Sequence, residues 1–78
     1  MIHNISPAGE AAAVTPADAT YLEPTRGIYV GVSGDVKVKM LDGTTITFTA
    51  LAAGIVHPIS CILIFSTDTT ATNIVALR

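Results

Sequence analysis

The sequence predicts an all-β fold, a small antiparallel β-sandwich or barrel of about five to seven short strands with an extended N-terminal arm. Apolar and polar residues alternate from position 26 onward, which is the period of a half-buried strand. Polar turns separate these runs at intervals of about ten residues. Prolines at positions 7, 16 and 24 interrupt the first third of the chain, where no such alternation develops.

Residues 1–25 are interpreted as the arm and residues 26–78 as the β-domain. Each proline of the arm blocks a helix or a central strand. The stretch TPAD at 15–18 has the composition of a first helical turn, with Thr15 as a possible cap and Asp18 as a capping acid. Because no apolar periodicity follows, we predict one tight turn within an extended segment.

The first half of the β-domain predicts a meander of three strands. They cover GIYVGVS (residues 27–33), VKVKM (36–40) and TTITFTA (44–50). Ser-Gly-Asp forms the turn between the first two strands, and Asp42-Gly43 is a strong hairpin signal between the second and third. Lys37 and Lys39 are predicted to face water. The predicted inward positions are Ile28, Val30, Val32, Val36, Val38, Met40, Ile46, Phe48 and Ala50.

In the second half, LAAGIVHP (51–58) predicts a connection with a short strand at its centre. ISCILIFS (59–66) is apolar on both faces, which predicts a central strand or one covered by a neighbouring subunit. An exposed edge of that composition would aggregate. TDTTATN (67–73) is predicted to be a loop, and IVALR (74–78) the final strand.

Size and composition predict that other chains complete this fold. A domain of 78 residues buries only about 60% of its unfolded surface, and its single cysteine forms no intrachain disulfide. Charged residues make up 13% of the chain, against about 25% in ordinary globular proteins. None lies between Asp42 and Asp68. An apolar, uncharged surface promotes association, so we predict a homo-oligomer.

Several classes of function are disfavoured by the same composition. The longest apolar run, CILIF at 61–65, is far shorter than the roughly 20 residues of a membrane helix. The N-terminus has neither the basic segment nor the apolar block of a signal peptide. A net charge of −2 with four basic residues predicts no nucleic-acid partner. We therefore expect neither a membrane nor a nucleic acid among its partners.

No group of residues predicts catalysis, a metal site or a cofactor. His3 lies near the N-terminus, and His57 precedes Pro58 without the spacing of a Ser-His-Asp arrangement. Cys61 lies within an apolar strand, which predicts a buried and unreactive thiol. The six acids are scattered, and no glycine pattern opens a helix after a strand. We predict that the chain is not an enzyme.

Three stretches carry a family resemblance: AVTPADAT (13–20), RGIYVGVSGDVKV (26–38) and TATNIVALR (70–78). Their order and spacing resemble the head-spike base proteins of tailed bacteriophages and of phage-like gene transfer agents. The similarity covers residues 11–78. It rests on a Val-Thr-Pro turn followed by an acid, an Arg-x-hydrophobic-Tyr-Val-Gly segment, a Gly-Asp turn, a Thr-Phe pair and an Ile-Val-Ala-Leu ending.

The resemblance implies a structural virion protein at the capsid surface, either a head-spike base or a capsid decoration protein. Its implied partners are further copies of itself, the major capsid protein and a spike fibre protein. A pentamer is the first expectation and a trimer the second. Thr15 and Asp18 would then bond local amide groups at a stiff corner, and residues 1–14 would reach along a neighbouring subunit or onto the capsid.

The candidate contact residues are apolar positions that the meander does not cover. Ile62 and Ile64 are expected on the far face of their strand, and Ile2, Ile5 and Val14 in the arm. Lysine at both Ile62 and Ile64 is expected to break the oligomer and spare the sheet. The alternative function is a small secreted binding module, for instance for carbohydrate. It requires aromatic residues on one exposed face.

Overall fold

A computed structural model describes residues 9–78, which fold into two packed antiparallel sheets. The strands are β1 (Ala11–Val14), β2 (Gly27–Val32), β3 (Gly34–Met40), β4 (Thr45–Leu51), β5 (Val56–His57), β6 (Cys61–Ile64) and β7 (Thr72–Leu77). The four-stranded sheet has the order β1-β7-β2-β5, and the three-stranded sheet has the order β4-β3-β6. The predicted all-β sandwich is therefore confirmed.

The four-stranded sheet is organised around β7, the last strand of the chain. It pairs with β2 on one side and with β1 on the other, from Ala11 opposite Leu77 to Val14 opposite Ile74. The sequence places residues 11–14 in the arm, but they form an edge strand of their own domain. The described part of the arm that precedes the tight turn is thus held within the same chain.

The predicted three-strand meander is wrong at its first connection. β2 and β3 lie in different sheets, and the chain crosses from one to the other at Ser33. A Cβ atom on Gly34 would lie 2.6 Å from the backbone nitrogen of Ala71, so this crossing requires glycine. The carbonyl of Asp35 accepts hydrogen bonds from Thr70 and Ala71 (2.8 and 3.2 Å), which fasten the corner to the loop before β7.

The β3–β4 hairpin is confirmed. Gly43 has a φ of 96°, and the backbone N–H of Thr44 donates to Oδ1 of Asp42 at 2.9 Å. At the other end of β4 the expected alternation breaks. Ala50 has a φ of 58° at a register shift, so Leu51, rather than Ala50, lies opposite Gly34. Leu51 therefore takes the place that the pattern had assigned to Ala50.

The core lies between the sheets and contains most of the predicted inward positions. Three predictions are wrong, because Ile46 is 44% exposed on edge strand β4, Val32 is 49% exposed at the end of β2, and Ala50 is exposed at the register shift. Phe48 and Met40 are partly buried against the core. The buried cluster comprises Ile28, Val30, Val36, Val38, Ile59, Cys61, Ile64, Ala71 and Ile74.

Strand β6 is at the edge of its sheet, yet its apolar faces are covered. Residues 15–25, which we call the strap, run along the edge of β6 that does not pair with β3. Backbone N–H groups of the strap donate to the carbonyls of β6, from Ala17 to Ile64, from Leu22 to Ile62 and from Thr25 to Cys61 (2.7–3.1 Å). The predicted central strand is wrong, because β6 is at the edge of its sheet, and the chain's own strap covers that edge.

Two aromatic rings, Tyr21 of the strap and Phe65 after β6, lie against the two lysines of β3. Nζ of Lys39 donates to the hydroxyl of Tyr21 at 3.1 Å and lies 5.5 Å from the centre of its ring. Nζ of Lys37 lies 5.1 Å from the ring centre of Phe65 and 3.6 Å from Oδ2 of Asp68. The lysines predicted to face water are only half-exposed, each against an aromatic ring.

Candidate assembly surface

Asp18 is the residue that fastens the strap to the rest of the domain. Its Oδ1 accepts hydrogen bonds from the N–H groups of Ser66 (2.9 Å) and Thr67 (3.0 Å) and from the hydroxyl of Ser66 (3.2 Å). Its Oδ2 accepts from the hydroxyl of Thr67 at 2.7 Å. The predicted capping acid is present, but it caps a loop nearly 50 residues away in sequence rather than local amides.

These hydrogen bonds predict that the attachment of the strap weakens in acid. Hydrogen bonds from Thr67 and Ser66 hold the pKa of Asp18 below its ordinary value. A carboxylate with a lowered folded-state pKa stabilises the fold at neutral pH, and this contribution decreases below the unfolded-state pKa and is lost as the pH falls through the lower folded-state pKa. We expect Asp18→Asn to lower the melting temperature at pH 7 and to make a smaller difference at pH 3, which is below the ordinary pKa of an aspartate.

Thermal unfolding followed by circular dichroism at both pH values tests this expectation. Asp42→Asn is the matched control, because Asp42 also has a lowered pKa but bonds only within its own hairpin. Equal melting temperatures for the wild type and Asp18→Asn at pH 7 would show that Asp18 does not fasten the strap.

Within residues 9–78, no segment bonds along the side of the sandwich opposite the strap as the strap does along β6. The loop at 52–55 joins β4 to β5, and the N–H of Gly54 donates to the carbonyl of Val30 beside β5 (3.0 Å). The free edges of β4 and β5 therefore lie on the same side of the molecule. Neither strand contains a charged residue, because both fall within the uncharged stretch between Asp42 and Asp68.

Exposed apolar side chains cluster on this side and on the adjoining hairpin tip. Leu41, Ile46, Ile55 and Val56 are each 44–57% exposed. We call these four residues and the free edges of β4 and β5 the open side. Next to Leu41 and Ile46 is a largely apolar groove of about 390 Å³, which is also lined by Met40, Asp42, Thr44, Phe48 and Ser60. Such a surface favours association.

The predicted contact residues do not coincide with the open side. Ile2 and Ile5 lie outside the described residues, as does His3. Val14 is half-buried against the core, and Ile62 is half-buried beside the strap. Ile64 is 1% exposed within the core, so the prediction that its side chain is uncovered is wrong. Its carbonyl accepts the bond from Ala17, and its side chain faces the four-stranded sheet.

One feature of the sequence indicates the open side. The uncharged stretch between Asp42 and Asp68 contains three of its four residues. The alternation pattern assigned Ile46 to the core and left Ile55 and Val56 in a connection. Their exposure depends on β4 being an edge strand and β5 being only two residues long. Neither property can be obtained from the local pattern.

The side chains that bear chemistry have structural surroundings. Cys61 is fully buried, which raises the pKa of its thiol, and the prediction of a buried cysteine is confirmed. Nε2 of His57 lies 2.9 Å from the carbonyl oxygen of Ala52, so the ring N–H donates across the loop before β5. Within residues 9–78, no group of three or more His, Cys, Asp or Glu side chains is arranged to hold a metal.

A second groove, of about 340 Å³, lies at the end of the sandwich where the strap begins. It is lined by Val14, Thr15, Pro16, Ser66, Thr69, Ala71, Thr72, Asn73 and Ile74. No helix in the described part of the chain is long and apolar enough to cross a membrane.

Comparison with known proteins identifies a relative among solved structures. No family model matches the chain, and no curated protein matches it. A chain in the structure titled "Capsid of native GTA particle computed with C5 symmetry", a gene transfer agent particle, superposes with a TM-score of 0.82. The two sequences are 31% identical, and the match covers 97% of this chain and 93% of the other. The protein therefore belongs to the same family as that chain of the gene transfer agent capsid.

Proposed function

We propose that this chain is a structural protein of a phage-like particle, located at the capsid surface as an oligomeric head-spike base. The observation that carries the proposal is the open side: two unpaired, uncharged strand edges with exposed apolar side chains, in a chain whose relative is part of a gene transfer agent capsid. A pentamer is the first choice and a trimer the second. A capsid decoration protein would have the same location on the capsid but would carry no fibre.

The distribution of exposed groups supports association rather than chemistry. Six large apolar side chains are exposed among the described residues, and four of them belong to the open side. Burying apolar surface yields about 25 cal/mol per Å², so covering this side stabilises a small domain with little core of its own. Copies that meet through their long sides leave both ends of each sandwich available. One end then contacts the major capsid protein, and the other holds a spike fibre.

Light scattering during size-exclusion chromatography of the full chain tests the proposal. We expect a mass of five chains, or of three for the second choice, at micromolar concentration. Co-sedimentation of the purified chain with capsids that lack this protein then tests the capsid location. The variant Leu41→Lys is measured in the same way, because it changes a side chain of the open side and leaves the strand edges unchanged. A protein that remains a single chain at all concentrations and does not sediment with capsids contradicts the proposed function.

The alternative, a secreted carbohydrate-binding module, requires exposed aromatic residues on one face. All four aromatic side chains are described. Tyr21 is 59% exposed, whereas Tyr29, Phe48 and Phe65 are half-buried. No observation favours this alternative over the virion role, and binding of the purified chain to a glycan array would reverse that judgement.

A further inference from the structure

We infer that neighbouring copies join edge to edge, with the outer edge of β1 in one copy hydrogen-bonded to the outer edge of β4 in the next. This inference rests on the proposed function and specifies its interface. The partner is a second copy of this chain, and the contact uses two different edges of the molecule. It is therefore a head-to-tail contact that repeats from copy to copy.

The backbone groups that β4 offers follow from its register with β3. The N–H of Met40 donates to the carbonyl of Thr44, whereas the carbonyl of Lys37 accepts a bond from Phe65 on the β6 side. Hydrogen-bonded pairs alternate with non-bonded pairs in an antiparallel ladder. Thr45 and Thr47, which lie opposite Lys39 and Lys37, therefore direct their N–H and C=O groups away from β3. No strand in residues 9–78 pairs with these groups, so they form an open edge.

The corresponding edge of β1 follows from its bonds to the end of the chain. Glu10 and Arg78 exchange two backbone hydrogen bonds, of 3.0 and 2.8 Å, which makes them a hydrogen-bonded pair. By alternation, Ala12 and Val14 bond to β7, and Ala11 and Ala13 direct their backbone groups outward. The side chains of Ala11 and Ala13 are exposed and small, so another strand can approach closely.

Among residues 9–78, both edges lack the features that normally prevent strand addition. Edge strands of soluble proteins are commonly protected by lysines, prolines or a covering segment. β6 has such a cover in the strap, whereas β1 and β4 contain no charge and no proline. The register irregularity of β4 lies at its far end, near Ala50, and leaves Thr45 and Thr47 in regular pairing.

The two edges are on opposite sides of the sandwich, which is why a second copy fits. The strap leads directly from β1 to β6, since Val14 ends β1 and Ala17 bonds to the end of β6. β6 and β4 flank β3 on opposite sides. β1 therefore lies on the strap side, and β4 on the open side. Each copy offers one edge to each of its two neighbours, and a ring leaves neither edge exposed.

The strand directions agree with a ring. β1 and β2 both pair antiparallel with β7, so they run in the same direction. β3 returns across the corner at Ser33, and β4 is antiparallel to β3. β1 and β4 therefore run in the same direction. A rotation axis parallel to the strands keeps this direction from copy to copy, so β1 of one copy pairs parallel with β4 of the next. Pairing of β4 with β4 would instead produce a closed two-fold dimer.

Proline substitution tests each edge separately. Thr47→Pro and Ala13→Pro each remove an outward N–H without breaking a bond to β3 or β7. We expect each variant to lose the wild-type oligomer and elute as a single chain. An equimolar mixture is expected to form a one-to-one dimer and nothing larger, because the intact β4 edge of one variant meets the intact β1 edge of the other.

Thr47→Val and Ala13→Ser, which keep the N–H groups, are the controls and are expected to retain the wild-type mass. Circular dichroism verifies the fold of every variant. If a proline variant is unfolded, Thr47→Lys and Ala13→Lys replace the pair, because a lysine on an edge strand also opposes strand addition.

The remaining outcomes overturn the inference in distinguishable ways. If Ala13→Pro remains an oligomer and Thr47→Pro does not, the copies pair through β4 alone. If both variants retain the wild-type mass, the interface uses neither edge, and the proposed function stands without this contact. If the wild type itself is a single chain that does not sediment with capsids, it is the proposed function that fails.

Discussion

Replacing Ile64 by lysine is expected to prevent the domain from folding. Ile64 is 1% exposed in the core cluster, and its loss alone costs about 2–5 kcal/mol. An ammonium group in the same place adds several kcal/mol because no acid is buried beside it. A domain of 78 residues has about 4–12 kcal/mol of stability in total, at about 0.05–0.15 kcal/mol per residue. The sum of the two costs exceeds the lower part of that range.

The matched variant is Ile62→Lys. Ile62 is half-buried beside the strap, so a lysine there extends its ammonium group into water and the sheet remains. Circular dichroism and urea titration of the two variants measure the difference. Cooperative unfolding of Ile64→Lys at the wild-type urea concentration would contradict the placement of Ile64 in the core.

This result also changes how an assembly defect is interpreted. The sequence suggested lysine at both positions as a test of the oligomer interface. Because Ile64 belongs to the core, the double variant loses its oligomer through unfolding, whatever the interface is. A test of assembly has to use the exposed positions of β4 and β1 instead.

Replacing Thr25 by valine is expected to cost about 2–6 kcal/mol of folding free energy. Thr25 is 2% exposed where the strap enters β2. Its hydroxyl donates to the carbonyl of Ile59 at 2.8 Å and accepts from the N–H of Cys61 at 3.1 Å. Valine has nearly the same shape, so the change leaves two buried backbone groups without a partner, at about 1–3 kcal/mol each.

Thr25→Ser separates the hydroxyl from the methyl group. Serine keeps both hydrogen bonds and loses one buried methyl, which costs about 0.8 kcal/mol. Chemical unfolding of the three proteins should therefore rank them wild type, Thr25→Ser, Thr25→Val in decreasing stability. A valine variant as stable as the wild type would mean that the two backbone groups find other partners.

The features that the sequence predicted correctly are local in the chain. The β3–β4 hairpin follows from Asp42-Gly43, because a turn with a positive φ at Gly43 requires those residues side by side. The inward faces of β2 and β3 follow from alternation, because successive side chains of a strand point to opposite faces. The burial of Cys61 follows from the apolar run around it.

Contacts between residues that are distant in sequence were determined only by the tertiary structure. Alternation specifies which face of a strand is buried, but not which strand lies beside it. It could not place β2 and β3 in different sheets, bring Asp18 to Ser66 and Thr67, or show that the strap covers β6. Exposure of the β4 edge depends on the same pairing choices. By itself, the sequence determined a β-rich chain with little charge, and the fold decided which of its strand edges are open among the described residues.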